Sequence, residues 1–178
     1  NNGNLIEKAI KKCPKCINEI FISDDKSNDN THEVAEKNGV QVFKNEKVNG
    51  YGGNVKNALK IAFENFDADY AVEIHGDGAQ FHPDATYDAL KIINDQITKP
   101  DLILGSRFLN FKNNMKMGYP LERMIPNFFI SRIERILLKI NITDFHQGFR
   151  IYSKNFYKTI NLNNLAAVSY THLTLPTT

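Results

Sequence analysis

Only two cysteines occur in 178 residues. No apolar run approaches the roughly 18–20 residues that span a bilayer, which excludes a membrane-crossing helix within this segment. The net charge is +2 and no basic stripe with interleaved aromatics is visible, so the sequence gives no ground for a nucleic-acid partner. No signal-peptide pattern opens the chain. Cys13 and Cys16 stand in Lys12-Cys13-Pro14-Lys15-Cys16. A zinc site needs about four ligands, and no second Cys or His pair lies at a suitable spacing. They read as two reduced thiols at a helix-to-strand junction, pointing to a reducing compartment. What is present, 42% apolar and 24% charged residues, fits one globular domain with a substantial core.

The most informative stretch is Ile22-Ser23-Asp24-Asp25-Lys26-Ser27-Asn28-Asp29-Asn30-Thr31. An apolar run ends there in two adjacent carboxylates, and carboxylates at the carboxyl end of a buried strand face the crevice where open α/β sheets bind ligands. Two acids side by side repel and are usually matched by a polar or cationic ligand. A second stretch of this kind is Ile74-His75-Gly76-Asp77-Gly78-Ala79-Gln80. Together they suggest an enzyme that handles a nucleotide and a metal.

Strand candidates at Ile17–Ser23, Val40–Phe43, Tyr70–Ile74 and Leu102–Leu104 alternate with helical patterns. This predicts a doubly wound, largely parallel α/β sheet. Asn30-x-x-Glu33 reads as a capping box, with Gly39 ending that helix. Asn49-Gly50-Tyr51-Gly52-Gly53 reads as a flexible link into a helix over 54–66 with an apolar face of Val55, Ala58, Leu59, Ala62 and Phe63. Pro83 and Asp84 start another helix. Residues 109–119 are polar and irregular and suit a mobile loop over a site. Leu121–Ile140 reads as a long amphipathic helix, with Pro126 delaying or kinking its start, that by default covers the sheet. Contact with a membrane surface is the alternative.

At the ends, Leu5–Ile10 already reads as helix, so a buried opening strand is expected to be missing. Val168–Thr178 carries no charge and four threonines. It resembles translated sequencing-adapter sequence. The expected organisation is a catalytic domain over 1–167, truncated at both ends, and a non-native tail over 168–178.

Four stretches in order give the chain a family likeness. They are Asp24-Asp25-x-Ser27-x-Asp29-x-Thr31, the Asp77 loop with Gln80 and Pro83, Gly105-Ser106-Arg107-Phe108, and Thr143-Asp144-Phe145-His146-Gln147-Gly148-Phe149-Arg150. The chain resembles family 2 glycosyltransferases, particularly those similar to polyprenyl-phosphate sugar synthases and the transferases of polysaccharide and cell-envelope assembly. The resemblance implies a GT-A type, Rossmann-like fold. The activity it implies is inverting transfer of a sugar from a nucleotide-sugar donor to a lipid-phosphate or glycan acceptor, assisted by Mg²⁺ or Mn²⁺. It further implies a cytoplasmic site of action at the inner face of the cell membrane, with peripheral membrane contact.

Carried over residue by residue, Asp25, with Asp24 and Ser27 nearby, would bind the base and ribose. The bland alternative is that Ser27 and Asp29 cap the following helix. The family usually writes Asp-x-Asp-x-Gln for its metal site. Here His75 stands where the first Asp often stands, Asp77 matches the second, and Gln80 falls one residue late because Ala79 is inserted. Arg107 would reach a phosphate, with Ser106 beside it and the small Gly105 allowing close approach; Arg123 is a loose second match. Asp144 would be the general base toward an acceptor hydroxyl, or would organise the site if the acceptor is an already anionic lipid phosphate. Gly148 and Arg150 would shape the same pocket, Arg150 pairing with an acid. The rival readings are a sugar nucleotidyltransferase and an inactive transferase-like binding module. A phospho-accepting receiver domain fits neither Arg107 nor the long helix.

Overall fold

The computed structural model describes residues 3–76, 83–95, 99–109 and 121–162. Asp77, Gln80, most of the loop at 109–119 and the tail at 168–178 lie outside them. The element order is α1 (Gly3–Lys12), β1 (Phe21–Asp24), α2 (Thr31–Lys37), β2 (Gln41–Lys44), α3 (Gly50–Lys60, continued by a π-helical turn Ile61–Asn65) and β3 (Tyr70–Glu73). There follow α4 (Pro83–Asp95), β4 (Leu102–Leu104), α5 (Leu121–Leu138), β5 (Arg150–Ser153) and α6 (Lys154–Thr159).

Alternating apolar runs and helical faces give the expected α/β class, but the strands form two sheets. β1 and β2 pair in parallel, Phe21 opposite Gln41 through Asp24 opposite Lys44, across the α2 crossover. The second sheet has the order β3-β5-β4, with β5 antiparallel to both neighbours. β5 was not among the expected strands. Between the sheets is a cavity of about 830 Å³. Its walls include Ile6 and Ala9 of α1, Ile22 of β1, Leu59 of α3, Val72 of β3 and Ile93 of α4. It is an apolar slot between two strand-bearing walls, with helices over it.

The core has two parts. Leu59, Ala62, Phe63 and Tyr152 form one buried cluster, and Ala89, Phe149 and Ile151 the other. Burying a side chain of Leu or Phe size contributes about 1.5–3 kcal/mol, so these clusters hold α3, α4 and β5 together. Phe21 stacks on Phe66 at 5.2 Å and meets Phe43 edge-on at 5.6 Å, which seats the first sheet against the end of α3.

Three local expectations are corrected. The glycine-rich residues 50–53 form the first turn of α3 rather than a flexible link. The capping box at the start of α2 does not form. Asn30 makes no side-chain cap, and the carboxylate of Asp29 instead accepts from the backbone N–H of Thr31 (3.2 Å) and from its hydroxyl (2.6 Å). Gly39 does close that helix in the left-handed region, at φ 70°. The third correction concerns α5, which buries Met124 and Ser131 while Ile125, Phe129, Ile133, Ile136 and Leu137 are each at least half exposed. The expected apolar face is therefore not packed on the sheet. Pro126 is accommodated within the first two turns.

Asp29 also accepts from the backbone N–H of Gly3 at 2.9 Å, tying α1 to α2. The Thr31 hydroxyl first, and the Gly3 amide second, hold its carboxyl down from an ordinary 3.8 to about 2. A depressed acid contributes stability that is complete above the unfolded value and disappears as pH falls through the folded one. The advantage of wild type over Asp29→Asn, followed by urea unfolding, should be constant above pH 3.8 and vanish toward pH 2. A difference independent of pH over that window would refute the assignment.

Candidate active site

The polar end of the cavity lies at the carboxyl ends of β1 and β3. Asp24, Asp25 and Ser27 line it from the first sheet, and Tyr51, Glu73, His75 and Gly76 from the other side. The two acid-bearing stretches singled out in the sequence thus converge in one cleft, as far as the described residues reach. Asp77, the expected metal ligand, follows Gly76 immediately and lies outside them.

Each carboxylate is built into the backbone around it. Asp24 is buried, and both its oxygens accept from the N–H of Ser27 at 3.2 Å, closing a tight turn. Asp25 is half-buried. One of its oxygens accepts from the N–H of Asn49 (2.8 Å) and the side-chain amide of Asn45 (2.8 Å), and the other from the N–H of Gly50 (2.9 Å). The first amides of α3 have no intrahelical acceptor, and a carboxylate is the favoured group at that positive helix end. Asn54 extends this network, donating to the Ser23 carbonyl and accepting from the Ser23 hydroxyl at 2.7 Å.

A second acid hub sits at the end of β3. Glu73 is directly opposite Arg150 in the β3–β5 register, with Tyr152 two residues along on the same face. One Glu73 oxygen accepts from the Tyr51 hydroxyl, and the other accepts from the Tyr152 hydroxyl at 2.7 Å. A guanidinium nitrogen of Arg150 lies 3.7 Å from the same carboxylate, so Arg150 does pair with an acid. Tyr51 Oη is also 2.8 Å from His75 Nε2. Burial first, then the negative charge of Glu73, pushes both tyrosines far above the usual phenol range, so they stay protonated.

The Gly105 and Asp144 stretches meet each other elsewhere. Neither Arg107 nor Asp144 lines the cavity. Arg107 Nε and Nη2 contact the two Asp144 oxygens at 2.7 and 2.8 Å, a bidentate pair with both residues buried. Asp144 also accepts from the N–H groups of Arg107 (3.0 Å) and His146 (3.1 Å). Four donors saturate its lone pairs, which suits an organising residue better than a base. Ser106 Oγ accepts from Thr143 at 2.8 Å. A Cβ on Gly105 would come within 3.0 Å of Gln147 and 3.1 Å of Phe149, so a side chain there would crowd the 147–149 segment.

Glu73, Tyr51 and Asn45 are the site residues that the sequence reading passed over. One signal was available: Glu73 is a carboxylate inside an otherwise apolar strand run, Tyr70-Ala71-Val72-Glu73-Ile74.

A polar cleft at strand ends, on an α/β fold with one antiparallel strand, is the GT-A arrangement. The family model for glycosyl transferase family 2 matches residues 3–160, and the chain belongs to that family. It is 30% identical over 162 residues to an uncharacterized protein of Methanocaldococcus jannaschii, covering 90% of this chain and 64% of that protein. A UDP-N-acetylglucosamine–dolichyl-phosphate N-acetylglucosaminyltransferase of Methanococcus voltae is 30% identical over 159 residues, covering 80% of this chain and 61% of that protein. The undecaprenyl-phosphate mannosyltransferase of Micrococcus luteus is 26% identical over 157 residues, covering 85% and 61%. Among solved structures, the UDP complex of glucosyl-3-phosphoglycerate synthase from Mycobacterium tuberculosis superposes with TM-score 0.57 at 17% identity, covering 87% of this chain and 54% of that one. The chain therefore spans less than two thirds of each of these proteins.

Removing one partner of a buried ion pair strands the other charge and costs about 3–5 kcal/mol, whereas an apolar replacement of both is often neutral. Arg107→Met alone should lower stability in urea by that amount, and the double variant Arg107→Met/Asp144→Leu should recover most of it. Losses that simply add would contradict a coupled pair.

Proposed function

We propose that the full-length protein is an inverting glycosyltransferase that moves a sugar from a nucleotide-sugar to a lipid-phosphate acceptor, assisted by a divalent cation. The observation that carries this reading is the convergence of Asp25 and His75 on one cleft. A base and ribose on the Asp25 side would lie next to a diphosphate on the His75 side.

Among the described residues no group of three or more His, Cys, Asp or Glu could hold a metal. The donor chemistry nevertheless fits. His75 has one ring nitrogen engaged by Tyr51 and the other left to serve as a ligand, and Asp77 is a hard oxygen donor one residue beyond Gly76. A solved relative of this fold, with TM-score 0.51, carries Mn²⁺, UDP and phosphoglyceric acid. A cation held by these residues would neutralise charge on the departing nucleoside diphosphate. Asp25 and Ser27 would orient the nucleoside, and the fixed geometry of donor and acceptor would supply much of the remaining rate.

The buried Arg107–Asp144 pair favours one acceptor class. A saccharide hydroxyl needs a base within hydrogen-bond reach, and Asp144 is saturated and enclosed. A lipid phosphate is already anionic and needs none. The two curated transferases also name lipid-phosphate acceptors. No described helix is long and apolar enough to cross a membrane. α5 instead exposes Ile125, Phe129, Ile133, Ile136 and Leu137, flanked by Arg132 and Lys139. An apolar stripe with cations along its edge suits a helix lying in the plane of an anionic bilayer surface. This helix supports peripheral membrane contact beside the acceptor, with the inner face of the cell membrane as the site of action in our reading.

The test is turnover of nucleotide-sugars by the full-length protein with polyprenyl phosphate in vesicles. Activity should require Mg²⁺ or Mn²⁺ and fall at least about 100-fold in Asp77→Ala, which loses the hard oxygen ligand. Unchanged turnover in that variant, or equal turnover with a free saccharide acceptor, would reject the reading.

A further inference from the structure

Glu73, Tyr51 and His75 form a chain of hydrogen bonds whose direction is fixed by the donor inventory. Glu73 accepts from Tyr51 and Tyr152 and faces Arg150, so it is an acceptor at every contact. Tyr51 has one hydroxyl proton, and the carboxylate takes it. Toward His75, whose Nε2 lies 2.8 Å away and 3.8 Å from the same Glu73 oxygen, Tyr51 then acts as an acceptor. In the neutral ring this places the proton on Nε2 and leaves the lone pair on Nδ1. A metal-binding histidine shows this pattern: its non-ligating N–H is donated to a carboxylate or an equivalent acceptor, which sets tautomer and ring orientation and raises ligand basicity.

We infer that Tyr51 and Glu73 are positioning residues that lock His75 as a ligand for a divalent cation through Nδ1, with Glu73 acting through Tyr51. This inference rests on the metal-assisted reading above but adds residues that the family motifs do not contain. Its parts come from three elements: Tyr51 from the first turn of α3, Glu73 and His75 from the end of β3, and the counter-charge Arg150 from β5. Any ligand-induced change at the start of α3, where Asp25 holds the amides of Asn49 and Gly50, would reach His75 through the adjacent Tyr51.

The experiment has two readouts that do not involve catalysis. Nitrogen-15 NMR of the full-length protein, at a pH above the histidine range and without metal, should show the His75 proton on Nε2 with Nδ1 unprotonated. A proton on Nδ1 overturns the inference without any variant. Mn²⁺ affinity, measured in the presence of UDP by the free-ion EPR signal, should weaken about 10–100-fold in Tyr51→Phe, as losing a ligand's hydrogen-bond partner does. The urea unfolding midpoint of the same variant should stay close to wild type, a control that global unfolding would fail. Mn²⁺ affinity equal to wild type in Tyr51→Phe would overturn the inference. If the protein binds Mn²⁺ through this chain yet transfers no sugar, the transferase reading fails and the inference stands.

Discussion

Residues 49–54 hold the two sheets in register at their carboxyl ends. Asp25, just past β1, accepts from the first amides of α3, and Asn54 bonds Ser23 of β1 through both backbone and side chain. One turn of the same helix sends Tyr51 the other way, onto Glu73 and His75 at the end of β3. Elsewhere an 830 Å³ apolar cavity separates these two strands. A few directional bonds at one end therefore fix the spacing that the candidate site needs, where strand pairing would ordinarily fix it.

This arrangement places different demands on the carboxylates. Asp24 and Asp29 are spent on turns, the first closing onto Ser27 and the second joining α1 to α2. Asp25 is only half-buried while it caps α3, and so combines a structural role with a place on the wall of the cleft. Asp144 is committed to Arg107 and the amide of His146. The catalytic proposal accordingly leans on the Asp25 and His75 side and uses the Arg107–Asp144 pair as a frame. An anionic acceptor is the chemistry that tolerates such a division, because no enclosed acid has to move a proton.

Much of this was legible in sequence. The α/β class, the helices at α1 and α4, and the strand-end positions of Asp25 and His75 all follow from apolar runs terminated by polar residues. β5 did not, since Arg-Ile-Tyr-Ser has no apolar run, and its strand character comes from pairing on both sides with β3 and β4. The helical start of α3 was hidden by glycines at positions 50, 52 and 53, whose low helix propensity is offset by Asp25 capping from a distant segment. Periodicity found α5 but not which side of it is buried: Ser131 lies inside and Ile136 outside. Pairwise commitments such as Arg107 with Asp144 are invisible to spacing, because 37 residues separate the partners.

The central claim is that one ligand touches both sheets at once. Titrating UDP with Mg²⁺ into the isotope-labelled full-length protein tests it most directly. The account predicts that the amides of Asp25, Ser27 and Gly50 shift together with that of Gly76, along a single binding curve. Shifts confined to one side of the cleft, or two curves with different midpoints, would contradict it.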